Sequence, residues 1–223
     1  MSTRCRGCVA TRQARLCGWR PARSKASPIL PLVRRGILGG TFDPPHIVHL
    51  YAGEAAYREL GLDVVTFLPA GSPWQKAEEV VSAPRHRMAM TMRAVSGVGY
   101  FEADDREVRR DGSSYTIDTL DTFQGDQVTL LVGADAAAGV PTWHRADELL
   151  AEAAFAVIPR PGVARDAVER ALDGARKSWL DTPELALSGT ELRRRASEGR
   201  SIRFLVPDPV WVYVVEHDLY RVE

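Results

Sequence analysis

Three stretches of this chain, Val64-Val65-Thr66-Phe67-Leu68, Val128-Thr129-Leu130-Leu131-Val132 and Phe155-Ala156-Val157-Ile158, are apolar almost throughout, with helical spacing between them. A strand with one wet face alternates apolar and polar residues, whereas one covered on both faces reads as a continuous run. Each run closes on turn chemistry, at Pro69-Ala70-Gly71, Gly133-Ala134-Asp135 and Pro159, and a shorter run, Gly36-Ile37-Leu38, closes at Gly39-Gly40. Helical spacing covers residues 46–60, 85–95 with Met88, Met92 and Val95 on one face, 114–120 with Ser113 or Ser114 as its cap, and 145–153. A short strand is expected around Tyr100-Phe101-Glu102, and residues 188–195 and 207–217 supply two further helices.

Alternating buried strands and helices predict an α/β fold: a Rossmann-like, doubly wound parallel sheet with helices on both faces and a C-terminal helical segment. In such sheets a ligand is expected outside the carboxyl ends of the strands. At 223 residues, 45% hydrophobic and 26% charged, the chain is long enough for a sizeable core and has the composition of a soluble globular protein.

Its formal net charge of zero hides an asymmetry. Residues 1–35 hold nine Arg or Lys and no Asp or Glu, which leaves 20 basic against 29 acidic residues in the remainder, a net of −9. The expected organisation is a basic, disordered extension over residues 1–33 and one domain over 34–223. An acidic body gives no footprint for nucleic acid, and no segment approaches the roughly 20 apolar residues of a membrane span. Cys5, Cys8 and Cys17 all fall in the extension, so the body needs no disulfide and suits a reducing, cytoplasmic setting. Cys5-x-x-Cys8 lacks further ligands at zinc spacing, and no resident metal is expected. Oligomeric state is not encoded in any of these patterns.

The chemistry concentrates after the first strand, in Gly39-Gly40-Thr41-Phe42-Asp43-Pro44-Pro45-His46-Ile47-Val48-His49-Leu50. With a helix starting near His46, His46 and His49 stand three residues apart on one face of its first turn. The unpaired N–H groups of that turn and the positive end of the dipole favour an anion, and two glycines let the preceding turn approach it closely. Spacing alone is equally compatible with a pair that caps and packs the helix. A metal reading is disfavoured because His-Glu-x-x-His spacing is absent, and neither a G-x-x-x-x-G-K-[ST] nor a G-x-G-x-x-G loop is present.

Taken whole, the segment resembles the signature of the HxGH nucleotidyltransferase superfamily, in the Thr-Phe-Asp-Pro form of the bacterial nicotinate or nicotinamide mononucleotide adenylyltransferases. The resemblance continues through Ser114-Tyr115-Thr116-Ile117-Asp118-Thr119-Leu120, Gly133-Ala134-Asp135 with Trp143, Arg160-Pro161-Gly162 and Ser188-Gly189-Thr190-Glu191-Leu192-Arg193, spanning about residues 34–221 in the family's order. It implies transfer of the adenylyl group of ATP, assisted by Mg²⁺, to nicotinate mononucleotide, giving nicotinate adenine dinucleotide and pyrophosphate. Carried over by resemblance, His46, His49 and Arg193 act on the phosphates as the catalytic set. Gly39, Gly40, Gly133, Asp135, Ser188 and Thr190 bind ATP, and Thr41, Phe42, Lys76, Thr116 and Trp143 bind the mononucleotide. Asp118 reads equally as a helix-face residue, Trp143 as core and Arg160 as a strand cap or phosphate ligand. Of Arg193, Arg194 and Arg195, one is expected as ligand and two as solvated residues.

Two positions depart from the pattern. Val48 stands where the family writes Gly, placing a β-branched side chain where a phosphate would lie against the helix, and Gly189 stands where the nicotinate branch usually has Ser. The readings left open are an active nicotinate-nucleotide adenylyltransferase, a nucleotidyltransferase acting on another phosphorylated substrate, and a catalytically impaired nucleotide-binding homologue.

Overall fold

The computed structural model describes residues 32–71, 82–110, 112 and 114–221. The chain divides into two units, Met1–Pro31 and Leu32–Glu223. All described residues belong to the second, and the first strand opens at Val33, one residue before the expected domain start.

Six strands form one parallel sheet: β1 (Val33–Gly40), β2 (Val64–Pro69), β3 (Phe101–Ala103), β4 (Asp126–Gly133), β5 (Ala154–Ile158) and β6 (Arg176–Trp179). Their spatial order is β3-β2-β1-β4-β5-β6, so the winding reverses between β1 and β4. A crevice opens at that reversal, outside the carboxyl ends of the strands. The helices are α1 (Ile47–Leu60), α2 (Pro84–Val95), α3 (Thr116–Leu120), α4 (Ala134–Ala138), α5 (Ala146–Glu152), α6 (Arg165–Ala171), α7 (Gly189–Ser197) and α8 (Asp208–Glu216).

Two apolar clusters include the residues of the central strands. One joins Ile37, Leu130 and Phe155 to Ile117, Leu149 and Val168, and the other joins Leu38, Val65, Phe67 and Leu131 to Ala52 and Ala56 of α1. Contact between α1 and β2 is close: a Cβ on Gly53 would lie 2.9 Å from the Phe67 ring, so that turn of the helix tolerates no side chain. A third cluster, with Met90, Leu192, Val210 and Tyr213, packs α2, α7 and α8 together. At the amino ends of the strands, away from the crevice, Arg35 of β1 donates to Asp126 of β4 (2.6 Å), Thr66 of β2 (2.6 Å) and Glu102 of β3.

Several details differ from the sequence reading. Met92 is 56% exposed; Val95 is buried as expected, and Arg87, Met90, Thr91 and Ala94 share the inward face of α2 with it. The expected face followed apolar residues, but the buried guanidinium of Arg87 holds the helix in a different rotation. The cap of α3 is Tyr115, with no side-chain cap bond, while the Ser114 hydroxyl accepts from the Gly71 N–H at 3.3 Å. Strand β6 went unread because Arg-Lys-Ser-Trp is an edge strand without an apolar run.

Candidate active site

A cleft of about 320 Å³ lies over the carboxyl ends of β1 and β4. Its floor is Gly39, Gly40 and Gly133; its walls come from the β1–α1 loop, α1, α3, the start of α4, Trp143, Arg160 and α7. A Cβ built on Gly39 would meet nothing within 4 Å, so the backbone there faces open space that a ligand can enter.

The β1–α1 loop turns sharply. Phe42 adopts φ +51° and the Asp43–Pro44 peptide is cis. The Phe42 ring is 1% exposed within the α1 cluster and meets His49 edge-on at 4.9 Å between centroids, so Phe42 lines the cleft as a buried support for an imidazole. His46 caps α1 in extended conformation; its N–H donates to Nδ1 of His49 at 3.2 Å, and the two rings stack at 3.7 Å. An Nδ1 that accepts cannot also carry the proton of a neutral ring, which makes Nε2 the donor of His49. His49 lines the cleft, whereas His46 lies beneath it, 1% exposed, and is not among the lining residues. Burial, reinforced by the positive charge of Arg160, lowers the His46 pKa to about 3, so its ring is neutral near pH 7.

On the facing side, α7 presents Arg193 to the cleft. Its Nη1 donates to the Asp43 carbonyl at 2.9 Å and its Nη2 to the Thr190 hydroxyl at 3.3 Å. Ser188 caps α7 by accepting from the Glu191 N–H at 3.2 Å. Neither Ser188 nor Thr190 lines the cleft; their oxygens serve the helix start and the guanidinium. Gly189 sits so tightly against the loop that a Cβ would lie 2.8 Å from the Asp43 carbonyl, so any side chain here would have to shift the loop or α7. Arg194 pairs with Glu191 at 2.7 Å and Glu198 at 2.6 Å on the surface, and Arg195 approaches Glu191 at 3.7 Å, leaving Arg193 as the one of the three that lines the cleft.

Asp135 opens α4 with a carboxylate that is 68% exposed, only 3.9 Å from Arg160 Nε and thus loosely engaged. The cleft is also lined by Thr41, Tyr115, Thr116, Trp143, His144 and Glu107. Trp143 is half-buried, packs against the β4 cluster and lines the cleft. Asp118 points away and bonds Arg145 at 3.2 Å. Lys76 lies outside the described residues.

Val48 is 6% exposed, lines the cleft beside Ala52 and Ile158, and is not among the members of the three apolar clusters. Its side chain is part of the ligand-facing wall.

Four residues escaped the sequence reading. Arg87, 1% exposed, donates to the carbonyls of Thr41 (3.1 Å), Ala70, Gly71 (2.8 Å) and Ser82 (3.0 Å), tying the ends of β1 and β2 together under the site. His144 stacks on Tyr115 at 4.3 Å at the cleft rim. Glu107, buried and pushed above the usual carboxylate range by that burial, accepts from the Thr119 hydroxyl at 2.7 Å. Tyr220 donates to Asp43. Nothing in spacing marks these residues, and Arg87 follows Arg85 and His86 in a locally basic stretch that gives no sign of its burial.

Residues 37–195 match the cytidylyltransferase-like family. The chain is 39% identical over 200 residues to a protein of Thermoanaerobacter sp. (strain X514) named "Probable nicotinate-nucleotide adenylyltransferase", covering 85% of this chain and 95% of that one. It is 39% identical over 191 residues to a protein of the same name from Salinibacter ruber, covering 83% and 97%. Among solved structures it resembles the nicotinic acid mononucleotide adenylyltransferase of Plasmodium falciparum complexed with NaAD, with a TM-score of 0.72 over 84% of this chain and 97% of that one at 16% identity, a likeness of fold.

Proposed function

Since the chain belongs to the cytidylyltransferase-like family, and within it to the nicotinate-nucleotide adenylyltransferases, we infer that it joins ATP and nicotinate mononucleotide into nicotinate adenine dinucleotide. An oxygen of the mononucleotide 5′-phosphate attacks the α-phosphorus of ATP, the bond to the bridging oxygen breaks, and pyrophosphate leaves with the electron pair. Such a transfer asks for in-line positioning and stabilisation of negative charge, with no protein nucleophile.

The observation that carries this reading is the convergence in one cleft of His49, Arg193, Asp135, Thr116 and Trp143. His49 Nε2, the Arg193 guanidinium and the N-termini of α1 and α7 take the triphosphate. His46 orients His49 from below. Asp135 accepts the ribose hydroxyls, with the backbone of Gly39, Gly40 and Gly133 against the nucleotide. Ser188 and Thr190 act through α7 and Arg193. Trp143 stacks on the pyridine ring, the N-terminus of α3 at Thr116 meets the nicotinate carboxylate, and Thr41 and Phe42 shape the turn between the two substrates; Lys76, outside the described residues, is assigned to the mononucleotide by the family resemblance alone.

Among the described residues no group of three or more His, Cys, Asp or Glu is placed to hold an ion. The donors facing the triphosphate, an imidazole, a guanidinium and backbone N–H groups, suit phosphate oxygens, and Mg²⁺ enters with ATP as the MgATP substrate, where it would neutralise charge on the departing pyrophosphate. No described helix is long and apolar enough to cross a membrane.

The test is pyrophosphate release by the purified protein from ATP, Mg²⁺ and nicotinate mononucleotide, with nicotinamide mononucleotide run in parallel. Turnover with a preference for the nicotinate form supports the reading; absence of turnover with retained ATP binding overturns it in favour of an impaired homologue.

A further inference from the structure

Asp43 is 2% exposed, and its polar atoms are shared by three segments far apart in the chain. The Tyr220 hydroxyl donates to Oδ1 at 2.7 Å, the Ser82 N–H donates to Oδ2 at 2.8 Å, and Arg193 Nη1 lies 2.9 Å from the carbonyl oxygen and 3.9 Å from Oδ2. Asp43 and Arg193 line the cleft, and Tyr220 is not among the lining residues. Its ring packs with the α2, α7 and α8 cluster, its hydroxyl lying 3.6 Å from Met90 Sδ, and its backbone takes φ +70° after the last helix.

A phenylalanine would fill that space equally well. A buried hydroxyl is retained without loss only where it finds an acceptor, and here the acceptor is a carboxylate, which strengthens the bond. Burial and the Asp43 charge push the phenol pKa upward, so it remains a donor across the working pH range. With Oδ1 engaged, the carboxylate can rotate neither toward Arg193 nor away from Ser82. The guanidinium then keeps one orientation, between the Asp43 carbonyl and the Thr190 hydroxyl.

We propose that Tyr220 is a positioning residue for the triphosphate: through Asp43 it fixes the direction in which Arg193 enters the cleft. The inference rests on the reading of that end of the cleft as the triphosphate site. A tyrosine at the far end of the chain thereby sets the geometry of a loop 177 residues earlier.

The test is Tyr220→Phe, which removes one oxygen and keeps the ring. Binding of Mg²⁺ with the non-hydrolysable α,β-methylene analogue of ATP, measured by calorimetry, is expected to weaken at least fivefold, and kcat to fall at least tenfold. The KM for nicotinate mononucleotide should stay within twofold. In an Arg193→Lys background the same substitution should weaken analogue binding by less than twofold, because there is no longer a fork to orient. Unchanged analogue binding, parallel losses for both substrates, or the full effect in the Arg193→Lys background would overturn the proposal. A wild type that binds the analogue but does not turn over nicotinate mononucleotide would sink the substrate reading alone, since the calorimetric arm does not depend on it. A wild type that fails to bind the analogue would sink both.

Discussion

His46 and His49 are joined twice, by the His46 N–H donating to Nδ1 of His49 at 3.2 Å and by ring stacking at 3.7 Å. The pair is a relay of orientation in which the buried member fixes the member that lines the cleft. Replacing His49 by Asn keeps an acceptor for the His46 N–H and removes the Nε2 donor. Steady-state assays should show kcat/KM for ATP falling about 10²–10³-fold, the loss typical of removing one charge-stabilising donor, with little change in melting temperature. A loss under tenfold would remove His49 from the chemistry.

His46 also ties stability to pH. Its pKa is lowered from 6.5 to about 3 in the folded protein, so the unfolded chain binds the proton more tightly. The resulting stability is fully present above the unfolded value of 6.5 and is lost as pH falls from there toward 3. Denaturant midpoints measured from pH 7 to pH 4 should fall more steeply for wild type than for His46→Gln, which has no such proton to gain. Equal slopes would contradict the buried, neutral imidazole.

Val48 is the residue most at odds with its family's pattern. Its isopropyl group stands in the wall of a cleft of about 320 Å³, and the leading reading is that phosphate binds without its removal. Val48→Gly is expected to raise kcat/KM by less than tenfold, under about 1.4 kcal/mol of barrier. It should lower stability by about 2 kcal/mol through lost burial and helix propensity. A larger gain in rate would show that Val48 obstructs the transition state.

Gly189 is held by the 2.8 Å that a Cβ would leave to the Asp43 carbonyl. Gly189→Ala must push α7 away from the loop, a strain of about 1–3 kcal/mol. Because Arg193 rides on that helix, KM for ATP should rise at least fivefold while KM for nicotinate mononucleotide changes little; matched changes in both would show a diffuse effect.

Arg87→Met replaces a guanidinium bonded to four carbonyls by a shorter apolar chain without donors. Leaving those carbonyls without donors costs about 3 kcal/mol or more, readable as a lower denaturant midpoint. A shift under about 1 kcal/mol would mean that the carbonyls find other partners.

Much of this was legible before any coordinates. Continuous apolar runs at Val64, Val128 and Phe155 can be satisfied only by burial on both faces, so the parallel sheet and its open carboxyl end follow from local pattern. The same locality bounds what the sequence shows. The rotation of α2 depends on where Arg87 finds four carbonyls, and the contacts of Ser188 and Thr190 depend on how α7 sits against the β1–α1 loop.

By itself the sequence determined five of the six strands, most of the helices between them and which short segments carry the chemistry, because periodicity and turn residues act over a few neighbours. Only the tertiary structure decided that His46 lies beneath His49, that Val48 belongs to the cleft wall, and that Tyr220 reaches Asp43. Those outcomes depend on contacts between residues distant in the chain, where direction and burial are properties of the packed whole.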